Sequence, residues 1–303
     1  MAKVELIKGE DLILKEYGIT NQDLEEVPDL EIRTTESQNI TDNSVYQKEV
    51  STYTEEESAN RIAELEENSK NLTFNELDDM MVELRTKHRK SQIENMSVPI
   101  ITDRDFMGIF LMEMHGDRRY SHSVSSGVDV WRRKVNGSTW NGVARGVIPN
   151  ITPRRMCTLY WDYAIRRKWD SFYTVIEDVD FLPSGDRVSR TATWTPKMFK
   201  QRDYVHVRNV IESDDCCVGV YLPADHKRAE VDKKKFIRGL VNFSGFVFRK
   251  QGNDCVCTLM TQTDISIPLP DFLINKFLGI AIGWYIRLMK KSAINDGIKQ
   301  YVA

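Results

Sequence analysis

Two stretches of this chain set polar groups at spacings that could do chemistry. In "RRKWD" (166–170), Arg166 and Asp170 stand four apart, so on a helix they share one face. By spacing alone this reads equally as a surface ion pair, worth roughly a few tenths of a kcal/mol. In "QRDYVHVR" (201–208), Tyr204, His206 and Arg208 alternate, so on a strand they project to one side. An arginine buried there needs an acceptor, which a ligand phosphate or ordered water could supply. Asp203 beside Arg202 reads as a structural pair. His206 with Asp264 is the one acid/base combination, and His206 reads better as a hydrogen-bonded interior residue than as a base. No Gly-x-Ser-x-Gly elbow accompanies it. The five cysteines form no Cys-x-x-Cys, and no His stands at ligand spacing from them. Buried thiols in a reducing compartment are expected, with no metal site and no catalytic residue.

These groups must be carried by folded elements, and the hydrophobic pattern supplies them. "NLTFNELDDMMVELRTKHRK" reads as a helix, with Thr73 and Glu76 at capping-box spacing and Leu77, Met81 and Leu84 on one face. "RDFMGIFLMEMHG" reads as a second. "TPRRMCTLYWDYAIRRKWD" reads as one helix opening at Thr152 before Pro153. Strand texture covers "GVDVWRRKV", "WNGVARGVI", "FYTVIEDVDFL", "RVSRTATW", "RDYVHVRNVI", "CVGVYLP", "FIRGLVNFSGFVFRK" and "CVCTLMTQTDISI", with turns at 183–186 and 251–254. A long apolar segment near the C-terminus reads as a helix. Its residues Leu273, Phe277, Ile280, Trp284 and Leu288 form the stripe expected to cover the sheet, and Gly279 and Gly283 permit close approach to a neighbour. Lys276 and Arg287 interrupt it, so it does not read as a bilayer anchor. The sum is an α+β domain with a mostly antiparallel sheet.

Of the 303 residues, 41% are hydrophobic, and the formal net charge is −3. That charge is uneven: residues 1–100 carry −12 and residues 101–303 carry +9. Residues 1–60 are expected to be an acidic, largely disordered region, 61–100 a helical linker, and 101–303 the folded domain. The acidic region could bind a basic protein partner. The basic residues of the domain are scattered among strands, which argues against nucleic acid.

Four strings occur in one order over residues 101–303: "RRKWD", "QRDYVHVR", "FIRG" (236–239) and "LPDFLIN" (269–275). Together they resemble the START domain, a lipid-transfer family. The resemblance implies a helix-grip fold, in which a curved antiparallel β-sheet wraps a long C-terminal α-helix and encloses a lipid tunnel. It implies non-enzymatic binding and intermembrane transfer of a single lipid, with no cofactor besides that ligand. The strings are most similar to the phosphatidylcholine-carrying branch. By that match Arg166 would contact the lipid phosphate, Asp170 the choline, and Tyr204 would help enclose the choline; a guanidinium fork suits a phosphate, and aromatic faces attract such cations. Thr191 falls where that branch places a cage tryptophan. The sterol-binding branch carries an arginine matched by Arg208, but "SRTATW" offers no partner acid for it. Glycerophospholipid therefore ranks first, with a sterol or ceramide carrier, or a helix-grip enzyme, as alternatives.

"TWTPKMFKQ" (193–201) matches the loop that START domains use as a tunnel lid. Trp194, Met198 and Phe199 there, with Phe277, Ile280 and Trp284 on the last helix, are the expected lid and membrane contacts. Trp284 and Tyr285 followed by Arg287, Lys290 and Lys291 suit a membrane interface. The expectation is a cytoplasmic protein, peripheral at membranes.

Overall fold

Threonine caps open the first two described helices of the protein, whose computed structural model describes residues 53–94, 98–114, 120–125, 127–135, 140–193, 200–264 and 271–294. Thr54 precedes α1 (Glu55–Ser69): its hydroxyl accepts from the Glu57 amide at 3.2 Å, and the Glu57 carboxylate accepts from the Thr54 amide at 2.7 Å. Thr73 and Glu76 repeat the reciprocal pair at 3.2 and 2.7 Å before α2 (Phe74–Glu94), as their spacing predicts. α3 (Asp103–Met114) follows.

Among the described residues ten strands form one sheet: β1 (Ser121–Ser125), β2 (Val128–Lys134), β3 (Trp140–Ile148), β4 (Tyr173–Phe181), β5 (Arg187–Thr193), β6 (Gln201–Glu212), β7 (Cys216–Pro223), β8 (Phe236–Arg238), β9 (Leu240–Gln251) and β10 (Asp254–Asp264). Their order is β1-β2-β3-β10-β9-β7-β6-β5-β4, antiparallel throughout, while β8 pairs parallel to the start of β6. The turns expected before β5 and between β9 and β10 hold Gly185 and Gly252 at φ +84° and +62°, a region costly for other residues. "FIRGLVNFSGFVFRK" is two strands rather than one. It breaks at Gly239, where a Cβ would stand 2.4 Å from Cε1 of Tyr204.

Every residue of β7 is buried, and its side chains alternate between two apolar clusters. Cys216, Val218, Val220 and Leu222 join the outer cluster, with Ile62 and Leu65 of α1, Leu77 and Met81 of α2, and Phe106, Ile109 and Phe110 of α3. Residues 61–100 therefore do more than link: two helices there complete the core, and residues 55–60, expected in the unstructured acidic stretch, open the first of them. Cys217 and Tyr221 point to the inner cluster, covered by α4 (Pro153–Trp161), α5 (Tyr163–Arg166) and α6 (Asp271–Ile294).

The helix expected over 152–170 is broken at Asp162, whose carboxylate caps α5 by accepting from the amides of Ala164 and Ile165 at 2.7 and 3.2 Å. α6 lies against β2 and β3: its Gly279 and Gly283 face Arg132 and Val130 of β2, and its Leu278 and Ile286 lie over Gly142 and Gly146 of β3. Its most buried described apolar and aromatic side chains are Ile282, Tyr285, Ile286 and Met289. Trp284 and Leu288, from the stripe expected to cover the sheet, are only partly buried. The helix is rolled relative to that expectation because glycines at 279 and 283 let that side approach the strands. The sheet and terminal helix make the helix-grip arrangement. No helix among the described residues is long and apolar enough to cross a membrane.

Candidate functional site

Arg166 ends α5 and points into the inner face, almost fully buried. Its Nε donates to Asp170 Oδ2 at 2.8 Å, and an Nη donates to the Tyr285 hydroxyl at 2.7 Å. The Tyr285 hydroxyl donates to the same Asp170 oxygen. Four rings surround the guanidinium: Tyr160 at 4.3 Å, Tyr173 at 4.8 Å, and Tyr163 and Tyr285 at 5.7 Å. The pair is thus interior, not a surface bridge. Burial pushes the Asp170 carboxyl above its ordinary value, with Arg166 and Tyr285 opposing that shift.

A second buried arginine stands across Tyr163. Arg208 lies 3.6 Å from the Tyr163 ring centroid and 4.2 Å from that of Trp161. Its Nη2 donates to both Asp178 oxygens at 2.6 and 2.9 Å, its Nε to the Ser189 hydroxyl at 2.8 Å, and its Nη1 to the Trp161 carbonyl at 2.7 Å. Burial works to raise the Asp178 carboxyl; Arg208 and the Ser189 hydroxyl more than offset it and hold the group below its ordinary value.

Between the arginines sits His206. Its Nε2 shares a hydrogen bond with the Tyr163 hydroxyl at 3.2 Å, and its ring meets Tyr221 edge-on at 5.1 Å. Burial, then the nearby charges of Arg208 and Arg166, lower its pKa to about 3, so the imidazole is neutral at physiological pH. One buried polar atom here, Nδ1 of His206, has no hydrogen-bond partner among the described residues, while the Tyr221 hydroxyl neighbours that of Tyr160.

The expected residues divide accordingly. Arg166 and Asp170 come together inside the protein. Tyr204, His206 and Arg208 share the inner side of β6, which runs in unbroken register with β5. Tyr204 packs over Gly239. The acid that seemed missing for Arg208 is Asp178, which arrives from β4 across β5; no spacing within "SRTATW" could reveal it. Asp203 is structural as read, gripped by Arg190 and Arg238 at 2.6 Å each. Tyr285, assigned to a membrane interface, is instead the hydroxyl that joins Arg166 to Asp170. Trp284 is half-buried against Phe172. Trp194, Met198 and Phe199 lie outside the described residues, as do the side chains of Phe277, Ile280 and Asp264. The sequence reading missed Tyr160, Tyr163 and Tyr173; "YWDY" beside "RRKWD" was the available signal.

An antiparallel sheet closed by a terminal helix, with charged pairs inside, matches a known pattern. The START domain family model fits residues 144–292. The chain carries a START domain. StAR-related lipid transfer protein 7, mitochondrial, from Homo sapiens is 27% identical over 113 residues, 36% of this chain and 30% of that protein. START domain-containing protein 10 from Mus musculus is 24% identical over 184 residues, 59% of this chain and 62% of that protein. The matched stretches thus span less than two thirds of either relative. Among solved structures, human STARD10 superposes with a TM-score of 0.60 at 21% identity, covering 68% of this chain and 84% of that one. Human StAR-related lipid transfer protein 5 gives 0.55 at 20% identity, covering 66% and 96%. At these identities the structural likeness establishes the START fold.

Proposed function

We propose that this START protein binds one lipid between the inner sheet face and α6 and carries it between membranes without chemical change. The observation that carries the reading is the unpartnered buried Nδ1 of His206, set near two arginines on an aromatic face. It leaves about 1–3 kcal/mol of desolvation uncompensated, which a polar group of a ligand would recover. Arg166, Asp170, Tyr204 and Arg208 are the headgroup residues in this reading. A glycerophospholipid such as phosphatidylcholine suits Arg166 and Asp170: the fork takes phosphate, and the carboxylate balances choline. Binding would then open the internal Arg166–Asp170 pair. At the far end of α6, exposed Lys290 and Lys291 suit brief contact with an anionic membrane. Neutral His206 is a weak base, which favours a carrier over an enzyme on this scaffold.

Asp178 supports a second reading. It supplies the acid that the sterol-binding branch pairs with its arginine, so a sterol hydroxyl meeting His206 and Tyr221 is the competing ligand. Native mass spectrometry of the purified chain with lipid extraction, followed by transfer of labelled lipids between vesicles, separates the two. Phosphatidylcholine transfer reduced at least tenfold in Arg166→Ala is the expected result. Unchanged phospholipid transfer in that variant sinks the headgroup assignment, and no lipid uptake by delipidated protein sinks the carrier reading.

A further inference from the structure

Away from the arginines, at the β6–β7 turn, the inner face gathers sulfur. Cys157 in α4 and Cys217 in β7 are buried, and Glu212, the register partner of Cys217 on β6, is half-exposed. One ligand atom from each, two thiol sulfurs and a carboxylate oxygen, lie within 4.8 Å of one another. The expectation of no metal site rested on spacing along the chain, and here the fold brings distant residues to one point.

We propose that Cys157, Cys217 and Glu212 form a site for a thiophilic divalent cation of the zinc class. Tetrahedral Zn²⁺ takes sulfur at about 2.3 Å and carboxylate oxygen at about 2.0–2.2 Å, so ligand atoms on one ion stand roughly 3.5–4 Å apart. The three donors need only sub-ångström to ångström adjustments to reach that. The Glu212 carboxylate already faces the sulfurs: its charge and its hydrogen bond with the Cys157 thiol both act on that thiol. In the metal-free state a hydrogen bond with the Cys217 thiol, and then burial, raise the Cys157 pKa. Binding expels both protons and leaves two thiolates and a carboxylate around the cation. Arg154, whose charge acts on Glu212, offsets the residual negative charge. Glu212 provides the entry side, and water or the thiol of Cys257, close enough to Cys217 to interact with it, completes the shell. The ion would clamp α4 to the β6–β7 hairpin beside the Arg154–Asp214 bridge, whose Nε–Oδ1 distance is 2.7 Å. Its role is thus structural, at one wall of the inner face.

Cd²⁺ titration of the reduced, chelator-treated full chain tests this through the ultraviolet thiolate-to-metal band. The expected result is one equivalent bound, with affinity falling as pH is lowered because protons compete for the sulfurs. The band should vanish in Cys157→Ala and in Cys217→Ala, and apparent affinity should fall at least tenfold in Glu212→Gln, which leaves the thiols and the core intact. Zn²⁺ should raise the melting temperature of the wild type and not of Cys157→Ala. The proposal is overturned by no band at equimolar Cd²⁺, by a band indifferent to Cys157→Ala and Glu212→Gln, or by one that depends only on Cys255 and Cys257, whose sulfurs lie 3.7 Å apart.

Discussion

The two faces of the sheet bury similar amounts of chain by different means. The outer face, under α1, α2 and α3, is mainly aliphatic with phenylalanines, Leu77, Ile109, Met112, Val207, Val218, Phe243 and Val247 being essentially inaccessible, and its buried charges pair with these helices as Arg133–Asp78 and Arg249–Glu113. The inner face, under α4, α5 and α6, buries Arg166, Asp170, His206 and Arg208 among tyrosines and tryptophans. Apolar burial stabilises in proportion to area, whereas each buried charge stabilises only while its partners stay in place. Under the carrier reading proposed above, the outer face would serve chiefly stability and the inner one recognition.

The sharpest break in that comparison is a cavity on the outer side. Phe243 is fully buried, and its ring packs against Gly108 of α3, where a Cβ would come within 3.0 Å of it. Phe243→Ala should lower unfolding free energy by about 3–5 kcal/mol in a urea titration. Lipid bound per folded molecule should not change. A variant that keeps its stability but loses lipid would show that the faces are not separable in this way.

On the inner face the corresponding stress is acid. His206 titrates near 3 when folded, against about 6.5 when unfolded. Its depressed value means that the unfolded state binds the proton first. The contribution is therefore fully present above pH 6.5 and is lost as pH falls from there toward 3. By pH 4 the loss from this one group is roughly 3 kcal/mol. His206→Gln cannot take up that proton, so its stability measured from pH 7 to 4 should fall less steeply than the wild type's. Parallel curves would mean that His206 is solvated or charged in the folded protein.

A smaller effect is expected at Tyr285, whose hydroxyl serves both Arg166 and Asp170. Tyr285→Phe keeps the ring and removes those bonds. It should cost about 1–3 kcal/mol, because the buried charges lose a shared partner. The same change should alter headgroup preference in a transfer assay, which no outer-face variant of equal cost should do.

The sequence made the alternating strands, the Thr73 cap and the Arg166–Asp170 pair readable because each depends on spacing within one element. What it concealed depends on how elements meet. Asp178 reaches Arg208 from beyond an intervening strand, and β4 shifts register against β5 between Asp178 and Asp180. Tyr285 turns inward because α6 rolls its glycines onto β2. The helix break at Asp162 was visible in principle: an aspartate before "YAIR" is a good N-cap, masked by the helical texture on both sides. Cys157, Glu212 and Cys217 meet only once α4 lies across the β6–β7 turn.

The smallest effect tests whether the N-terminal helices belong to the cooperative unit. Thr73→Ala removes the hydroxyl that accepts from the Glu76 amide, a loss of about 1 kcal/mol for a capping residue. If α2 unfolds with the sheet, as its buried Leu77 and Met81 imply, the whole cost should appear in the global urea midpoint with the slope unchanged. If α2 instead opens alone, the midpoint should hold, and hydrogen exchange should quicken across residues 74–86 only. Under the division of labour argued from the two faces, the first outcome is expected, and lipid transfer should be the same in variant and wild type. Altered transfer from so mild a change on the outer side would mean that the outer helices help set the inner site.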